Sequence, residues 1–554
     1  MSRSGGQLLA DQLVVHGADL AFSVPGESYI GLLDGLYTHR GRLRLITARH
    51  EASAANMAEA YGKLTGRPGL CLVTRGPGAT HASVGVHTAF QDSTPMLLLI
   101  GQVAREQRDR EAFQEVDLRA MFGPLAKQVF EIDDARRIPE LLSRAFHAAT
   151  SGRPGPVVIG LPEDMQRDEV DVADAVPYRP AVPSASAADV SRLHGLLAAA
   201  KRPLMVAGGS LWSQAAADAL QAFAEASAVP VACSFRRQDH LDNESSAYIG
   251  DLGLGIAPHL PQALAESDLV VLLGGRFGEV PSGAYRSLTV PRPASGRLVH
   301  VHASADELNR VYEADLAIVA SAPSVVDGLA AAGPLAPSTE RAAYARHLRT
   351  SYEAWTTPAP RAVRGVDLAL VVAHLRTGLP VDAVVTNGAG NYTVWVHRYH
   401  RHRRYGVQLA PTSGAMGYGI PAAIAARAVH PDRPVIAFAG DGCFMMACQE
   451  LATAVQFELP IVVVVADNGM LGTIRMHQER SFPGHVSGTT LHNPDFVALA
   501  RSFGCHAEQV TDASGFPSAL QRALAAGRPA LLHLVCDPNA ITPATTLDAL
   551  GGSS

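Results

Sequence analysis

Asp441 stands between Gly440 and Gly442 behind an apolar run, Pro434–Ala439, and Asn468 follows 27 residues later behind a second, Ile461–Ala466. A carboxylate and an amide carbonyl are hard oxygen donors, suited to a six-coordinate Mg²⁺ that also grips a diphosphate. One helix and one strand occupy about that separation, so both side chains fall at the carboxyl ends of neighbouring parallel strands. The glycines let backbone approach a ligand closely, and the helix that follows turns free N–H groups toward a phosphate. Gly-Asp-Gly by itself is a common turn. With the Asn at this distance it predicts a metal and diphosphate site.

The elements that must position these residues read as strand Pro434–Ala439, turn Gly440-Asp441-Gly442, helix Cys443–Phe457 and a strand from Pro460. The first part of the chain follows the same plan. Leu70–Thr74 reads as a strand, Gly76-Pro77-Gly78 as a tight turn, Ala79–Phe90 as a helix, and a strand starts at Pro95. Two units of matching length fit either an internal duplication or the regularity of all βαβ units. Connectors rich in Pro, Ala and Ser at Glu163–Val190 and Pro334–Gly365, the latter holding a short helix at Arg341–Trp355, separate three blocks: residues 1–165, 186–335 and 360–540. Each block alternates strands and helices, which predicts an α/β fold with mainly parallel sheets flanked by helices. In the middle block, Pro203–Ser210 and Asp268–Gly275 end in Gly208-Gly209 and Gly274-Gly275, turns that either face a nucleotide or simply relieve the backbone.

A net charge of −6 gives no footprint for nucleic acid. With 47% apolar and 18% charged residues the chain is globular. The N-terminus lacks the apolar core of a signal peptide, and the greasiest runs, Pro95–Ile100 and Ile461–Ala466, are too short to cross a bilayer. The six cysteines (Cys71, Cys233, Cys443, Cys448, Cys505 and Cys536) show no metal or disulfide spacing. Buried free thiols in a reducing cytoplasm are the expectation.

The stretch Gly440–Asn468 resembles the signature of thiamine-diphosphate enzymes, and the resemblance covers nearly the whole chain, with pyrimidine-binding, central and diphosphate-binding domains in that order. It implies Mg²⁺ held by Asp441, Asn468 and the Met470 carbonyl, with Gly442, Cys443, Leu471 and Gly472 around the diphosphate. Asp467-Asn468 replaces the common Asn-Asn pair, and the ligating position is kept. Arg49-His50-Glu51-Ala52, opening an Ala-rich helix that holds Ala60-Tyr61-Gly62, matches the segment of the activating glutamate. Taken alone, Glu51 is a helix-start carboxylate near the macrodipole. The resemblance makes it the acid that donates to the aminopyrimidine ring, a role that needs a proton at neutral pH and so favours burial. Thr412–Gly419 matches the segment that bends the coenzyme, with Met416 as wedge and the Gly414 carbonyl as acceptor for the amino group. Gly390-Asn391-Tyr392 aligns more loosely with a Gly-Gln-His diphosphate contact.

Within the family, pyruvate-decarboxylase-like enzymes carry a His-His pair 63 residues after the glutamate; here Gln114-Glu115 stands there, inside a Phe-Gln-Glu that matches acetolactate synthases. Decarboxylases also carry a Glu six residues past the metal Asn, where this chain has Ile474. Without those proton donors a second carbonyl captures the two-carbon unit. Gln114 is therefore expected over the reacting carbon. Glu27 sits where decarboxylases carry an Asp, and reads equally as a solvated turn residue. His81 and His87 read as packed histidines. His477 near the place of an acceptor-selecting Trp, and Arg276-Phe277-Gly278-Glu279-Val280 in place of Arg-Phe-Asp-Asp-Arg, leave the acceptor and the presence of FAD open. The implied reaction is decarboxylation of a pyruvate-like 2-oxo acid followed by carboligation. The alternatives are a simple decarboxylase, an acetyl-phosphate-forming relative, or a silent cofactor-binding homologue. The resemblance also places Glu51 and Asp441 of one site on different chains, which requires a homodimer or homotetramer. The tail from Asp537 to Ser554 either hangs free or folds over the site.

Overall fold

Each alternating block closes into one six-stranded, all-parallel sheet in the computed structural model, which describes residues 2–292, 296–359 and 361–551. The first sheet holds β1 (Leu20–Ser23), β2 (Arg44–Thr47), β3 (Gly69–Val73), β4 (Met96–Gln102), β5 (Gln128–Glu131) and β6 (Pro156–Pro162) in the order β2-β1-β3-β4-β6-β5. The central sheet holds β7 (Pro203–Ala207), β8 (Val231–Ser234), β9 (Tyr248–Leu252), β10 (Leu269–Leu273), β11 (Arg297–His302) and β12 (Leu316–Val319), ordered β9-β8-β7-β10-β11-β12. The third holds β13 (Val384–Asn387), β14 (Gln408–Leu409), β15 (Val435–Gly440), β16 (Val462–Asp467), β17 (His506–Val510) and β18 (Ala530–Val535), ordered β14-β13-β15-β16-β18-β17. Strands such as β4 and β16 are apolar on both faces because helices cover both, as parallel sheets require. The first and third sheets share one strand order, which favours duplication over coincidence. The central sheet has the plain doubly wound order.

Two local expectations change. Gly76-Pro77-Gly78 is no free turn but the first turn of helix α2 (Gly76–Asp92), where a Pro lacking its N–H is at no disadvantage. The helix expected over Cys443–Phe457 begins at Asp441 and breaks in two, α4 (Asp441–Met445) and α5 (Glu450–Gln456). The break turns the chain so that the buried Glu450 carboxylate accepts the Arg49 N–H at 3.2 Å, tying the third block to the segment before Glu51. Helix α1 (Glu51–Thr65) packs its small residues on α3 (Gly419–Val429), and one apolar core runs through both blocks. The Gly-Gly pairs of the central sheet meet each other: a Cβ on Gly209 would lie 1.9 Å from the Gly274 carbonyl oxygen. Backbone contact explains those glycines. Among the described residues no helix is long and apolar enough to cross a membrane. All six cysteines are free; Cys448 and Cys536 are half-buried, the other four buried.

The segment after helix Tyr392–Tyr399 clamps the third block to the central one. The His402 N–H donates to Asn243 Oδ1 at 2.9 Å, and the Asn243 N–H returns a bond to the His402 carbonyl at 2.9 Å. His397, His400 and His402 are all buried here, and burial lowers all three, His402 to about 4. Neither His402 ring nitrogen has a hydrogen-bond partner among the described residues. Because the unfolded imidazole titrates near 6.5, the unfolded chain takes up protons below that pH that the folded chain refuses. Stability is therefore expected to be full above pH 6.5 and to fall as pH drops, the His402 share of the loss being complete below about 4. His402 alone accounts for about 3 kcal/mol of that loss. Denaturant midpoints at pH 5 and 7 test it: His402→Gln should shrink the difference, leaving the share of His397 and His400, and an unchanged difference refutes the assignment.

Candidate active site

A cavity of about 280 Å³ opens at the carboxyl edge of the third sheet, between the ends of β13, β15 and β16. This is the point where the strand order reverses, the usual ligand position in open parallel sheets. Gly390, Asn391, Tyr392, Gly414, Met416, Asp441, Gly442, Cys443, Asn468, Met470, Leu471 and Gly472 all line it. The structure thus brings together every residue the sequence nominated from this block.

Asp441, 3% exposed, follows directly on β15. Its Oδ1 accepts the Gly442 N–H at 2.9 Å and its Oδ2 accepts from Asn493 Nδ2 at 2.8 Å. The same Asn493 amide donates to Asp467 Oδ1 at 2.8 Å, so two carboxylates share one neutral donor. Burial raises Asp441 to about 6; the Asn493 and Gly442 donors pull it down, and the Asp467 charge pushes it up. Burial would raise Asp467 too, but His533 Nε2 at 2.9 Å and the Gly469 N–H bring it below its usual range. Asp441 faces the cavity with Asn468 and Met470 beside it, hard oxygen donors of the kind that could hold a divalent cation. The loop after Asn468 is held in place from outside. Met470 bridges to Thr490, the Leu471 N–H donates to the Thr489 carbonyl at 2.8 Å, and the Leu491 N–H to Gly469 at 2.9 Å. A Cβ on Gly442 would lie 2.8 Å from Leu471 Cδ2, so a larger residue there would have to displace the tip of that leucine.

Other neighbours of the cavity were not legible beforehand. Asn493 and His533 lie far downstream of the motif, and only the extra carboxylate of Asp467 hinted that a donor was needed. Asn391 does not stand free: its Nδ2 donates to the Ile541 carbonyl at 3.0 Å and its Oδ1 accepts from Thr473 Oγ1 at 2.9 Å. Tyr392 and Cys443 turn toward one another, hydroxyl to sulfur at 3.4 Å. The tail folds over the site rather than hanging free. Ala540 and Ile541 line the cavity, and helix α7 (Leu547–Gly551) packs on helix α6 (Gly472–Ser481); residues 552–554 lie outside the described ones. The expected N–H contribution of the following helix shrinks, since α4 is barely more than one turn.

Glu51, Gln114 and Glu27 do not reach this cavity, whose lining starts at Leu368. They gather instead around the start of α2. Arg75 donates from Nε to the Phe113 carbonyl at 3.0 Å, pairs with Glu163 at 3.0 Å, and stands 3.7 Å from Glu27, whose side chain is 68% exposed. A Cβ on Gly76 would meet the Gln114 carbonyl oxygen at 2.6 Å, and one on Gly78 would lie 3.5 Å from Glu51 Oε1. The Glu51 carboxylate, 13% exposed, meets His81 Nδ1 at 2.9 Å. His81 is half exposed and bonded to Glu51, not satisfied by packing as its sequence context suggested.

Comparison with known proteins agrees with this geometry block by block. Residues 3–121 match the thiamine pyrophosphate enzyme N-terminal TPP-binding domain, 190–329 the central domain, and 388–534 the C-terminal TPP-binding domain. The acetolactate synthase large subunit of Parasynechococcus marenigrum is 32% identical, over 96% of this chain and 87% of that protein. That of Corynebacterium glutamicum is 31% identical over 94% and 84%. The isozyme 2 large subunit of Escherichia coli is 30% identical over 96% of both chains. With both ends of the fold, the cavity and the full-length likeness in agreement, the chain belongs to the thiamine pyrophosphate enzymes, in the acetolactate synthase large-subunit family.

Proposed function

We propose that this protein decarboxylates a pyruvate-like 2-oxo acid and joins the remaining two-carbon unit to the carbonyl of a second 2-oxo acid or aldehyde, releasing CO₂. Thiamine diphosphate supplies the electron sink for both steps. Asp441, the Asn468 side-chain carbonyl and the Met470 backbone carbonyl would hold Mg²⁺ against the diphosphate, with Gly442 and Cys443 beside it. Met416 would support the bent coenzyme, and the Gly414 carbonyl would accept its amino hydrogen. Glu51 holds and passes the proton that activates it, and comes from a partner copy, because nothing before Leu368 lines the cavity of its own chain. Gln114 and Glu27 would come with it and face the reacting carbon.

One observation favours carboligation over simple decarboxylation. The wall that α6 presents to the cavity carries Thr473 and Ile474, with no acid or histidine to protonate the two-carbon unit. FAD has no step here. The Gly-Gly turns of the central sheet approach each other closely, and Gly209, Gly274 and Gly275 line a cavity of about 290 Å³ together with Arg237 and Arg276. Incubation with pyruvate, thiamine diphosphate and Mg²⁺, with and without added aldehydes or 2-oxo acids, should give condensed products by mass spectrometry. Free acetaldehyde alone would overturn the reading in favour of a simple decarboxylase.

A further inference from the structure

The side chain of Glu51 has one hydrogen-bond partner among the described residues, His81 Nδ1 at 2.9 Å from Oε2. Its other oxygen lies against Gly78 at the start of α2. His81 sits one turn further along that helix and is held on two sides. The carboxylate takes its Nδ1, and the His50 ring lies over it, centroids 4.5 Å apart and planes 30° apart. His50 is itself fixed, since its Nδ1 accepts the Ala52 N–H at 3.1 Å and caps α1. The exposures differ along this chain: 13% for the Glu51 side chain, 51% for His81.

A carboxyl group that must gain and lose a proton in every cycle needs a route to water, and one largely shielded from solvent, as Glu51 is, gains from a carrier. We propose that His81 is that carrier: its imidazole positions Glu51 through Nδ1 and exchanges the proton of the Glu51 carboxyl with solvent through Nε2. When Nδ1–H donates to Oε2, the carboxylate is stabilised. When the proton crosses to Glu51, Nδ1 becomes the acceptor and Nε2 takes up a proton at the open side; the reverse transfer releases it there, so no charge is stranded. The proposal deepens the reading of Glu51 as the activating acid and rests on it.

The groups facing the pair add no charge to it. From α1, His50 is lowered, by burial first and then by His81, and so stays neutral. Behind the carboxylate, Cys71 of β3 and Tyr29 are both raised by burial and carry no charge near neutrality. Arg49 is turned away onto Gln456.

The test compares His81→Asn and His81→Ala with the unaltered enzyme, all assembled with thiamine diphosphate and Mg²⁺. Coenzyme affinity, read by fluorescence titration, should stay within about twofold in both, showing an intact fold and site. Exchange of the coenzyme's acidic carbon-bound proton for deuterium, read by quenched-flow NMR, should slow about tenfold in both variants. The acid limb of the kcat profile should lose one ionisation. Added imidazole should restore exchange in His81→Ala, the half-exposed side chain leaving room for it. If His81→Asn exchanges and titrates like the unaltered enzyme while Glu51→Gln is slow, His81 only fills space and the inference fails. If Glu51→Gln itself exchanges at the full rate, the assignment of Glu51 fails first, and that outcome is distinct.

Discussion

Glu51→Gln is expected to lower turnover by about 10²–10⁴-fold while leaving coenzyme affinity within a factor of a few. The substitution keeps the length and shape of the side chain and removes only its ability to lose and regain a proton. Affinity should survive because the diphosphate and metal side of the site is built wholly from residues after Leu368. Turnover should not, because the carboxyl group sits where a proton can be held. It opens α1 behind the His50 cap, its side chain is 13% exposed, and its one hydrogen-bond partner among the described residues is an imidazole. Steady-state kinetics with pyruvate beside a coenzyme titration would check it. Full turnover in Glu51→Gln would remove the assignment.

Asp441→Ala should act on the opposite quantity. It removes a carboxylate expected to hold the cation, so the apparent Kd for thiamine diphosphate in the presence of Mg²⁺ should rise by at least about 100-fold. The stabilisation conferred by ligand at a hundred times its normal Kd, about 2.7 kcal/mol, should fall to about 0.4 kcal/mol or less in thermal unfolding curves. The cofactor-free protein should unfold no earlier than before, because burial and the neighbouring Asp467 already hold that carboxyl at a raised pKa of about 6, and its loss relieves the pair. Near-normal coenzyme affinity in Asp441→Ala would place the diphosphate elsewhere.

The two variants also test how the site is assembled. If Glu51 serves the cavity of a partner, each inactive variant should rescue the other when the two are unfolded together and refolded. A hybrid dimer then holds one site with both changes and one with neither, so recovery should approach about a quarter of normal activity. No recovery would mean that Glu51 and Asp441 act within one chain.

How much of this was visible in the residues varies with the distance over which the signal acts. The parallel sheets were legible because buried strands such as Ile461–Ala466 and Leu97–Ile100 are apolar at every position, a pattern that only helices on both faces permit. The nearness of Asp441 and Asn468, the corner proposed for the metal, was legible because they end adjacent strands, and one helix with one strand sets their separation whatever lies around them. Short helices were less so. The break between α4 and α5 depends on Glu450 reaching Arg49, a partner 401 residues away.

Local order thus determined the elements, their parallel arrangement and the identity of the cofactor-binding edge. Only the folded chain decided that Asn493 and His533 complete the carboxylate pair, that the tail at Ile541 closes on Asn391, and that His81 faces Glu51 rather than the core. The physical reason is one of range. Periodicity and turn chemistry act over a few residues and leave a mark in sequence. A hydrogen bond between side chains on separate elements depends on where packing carries them, and any donor of the right reach would leave the same trace.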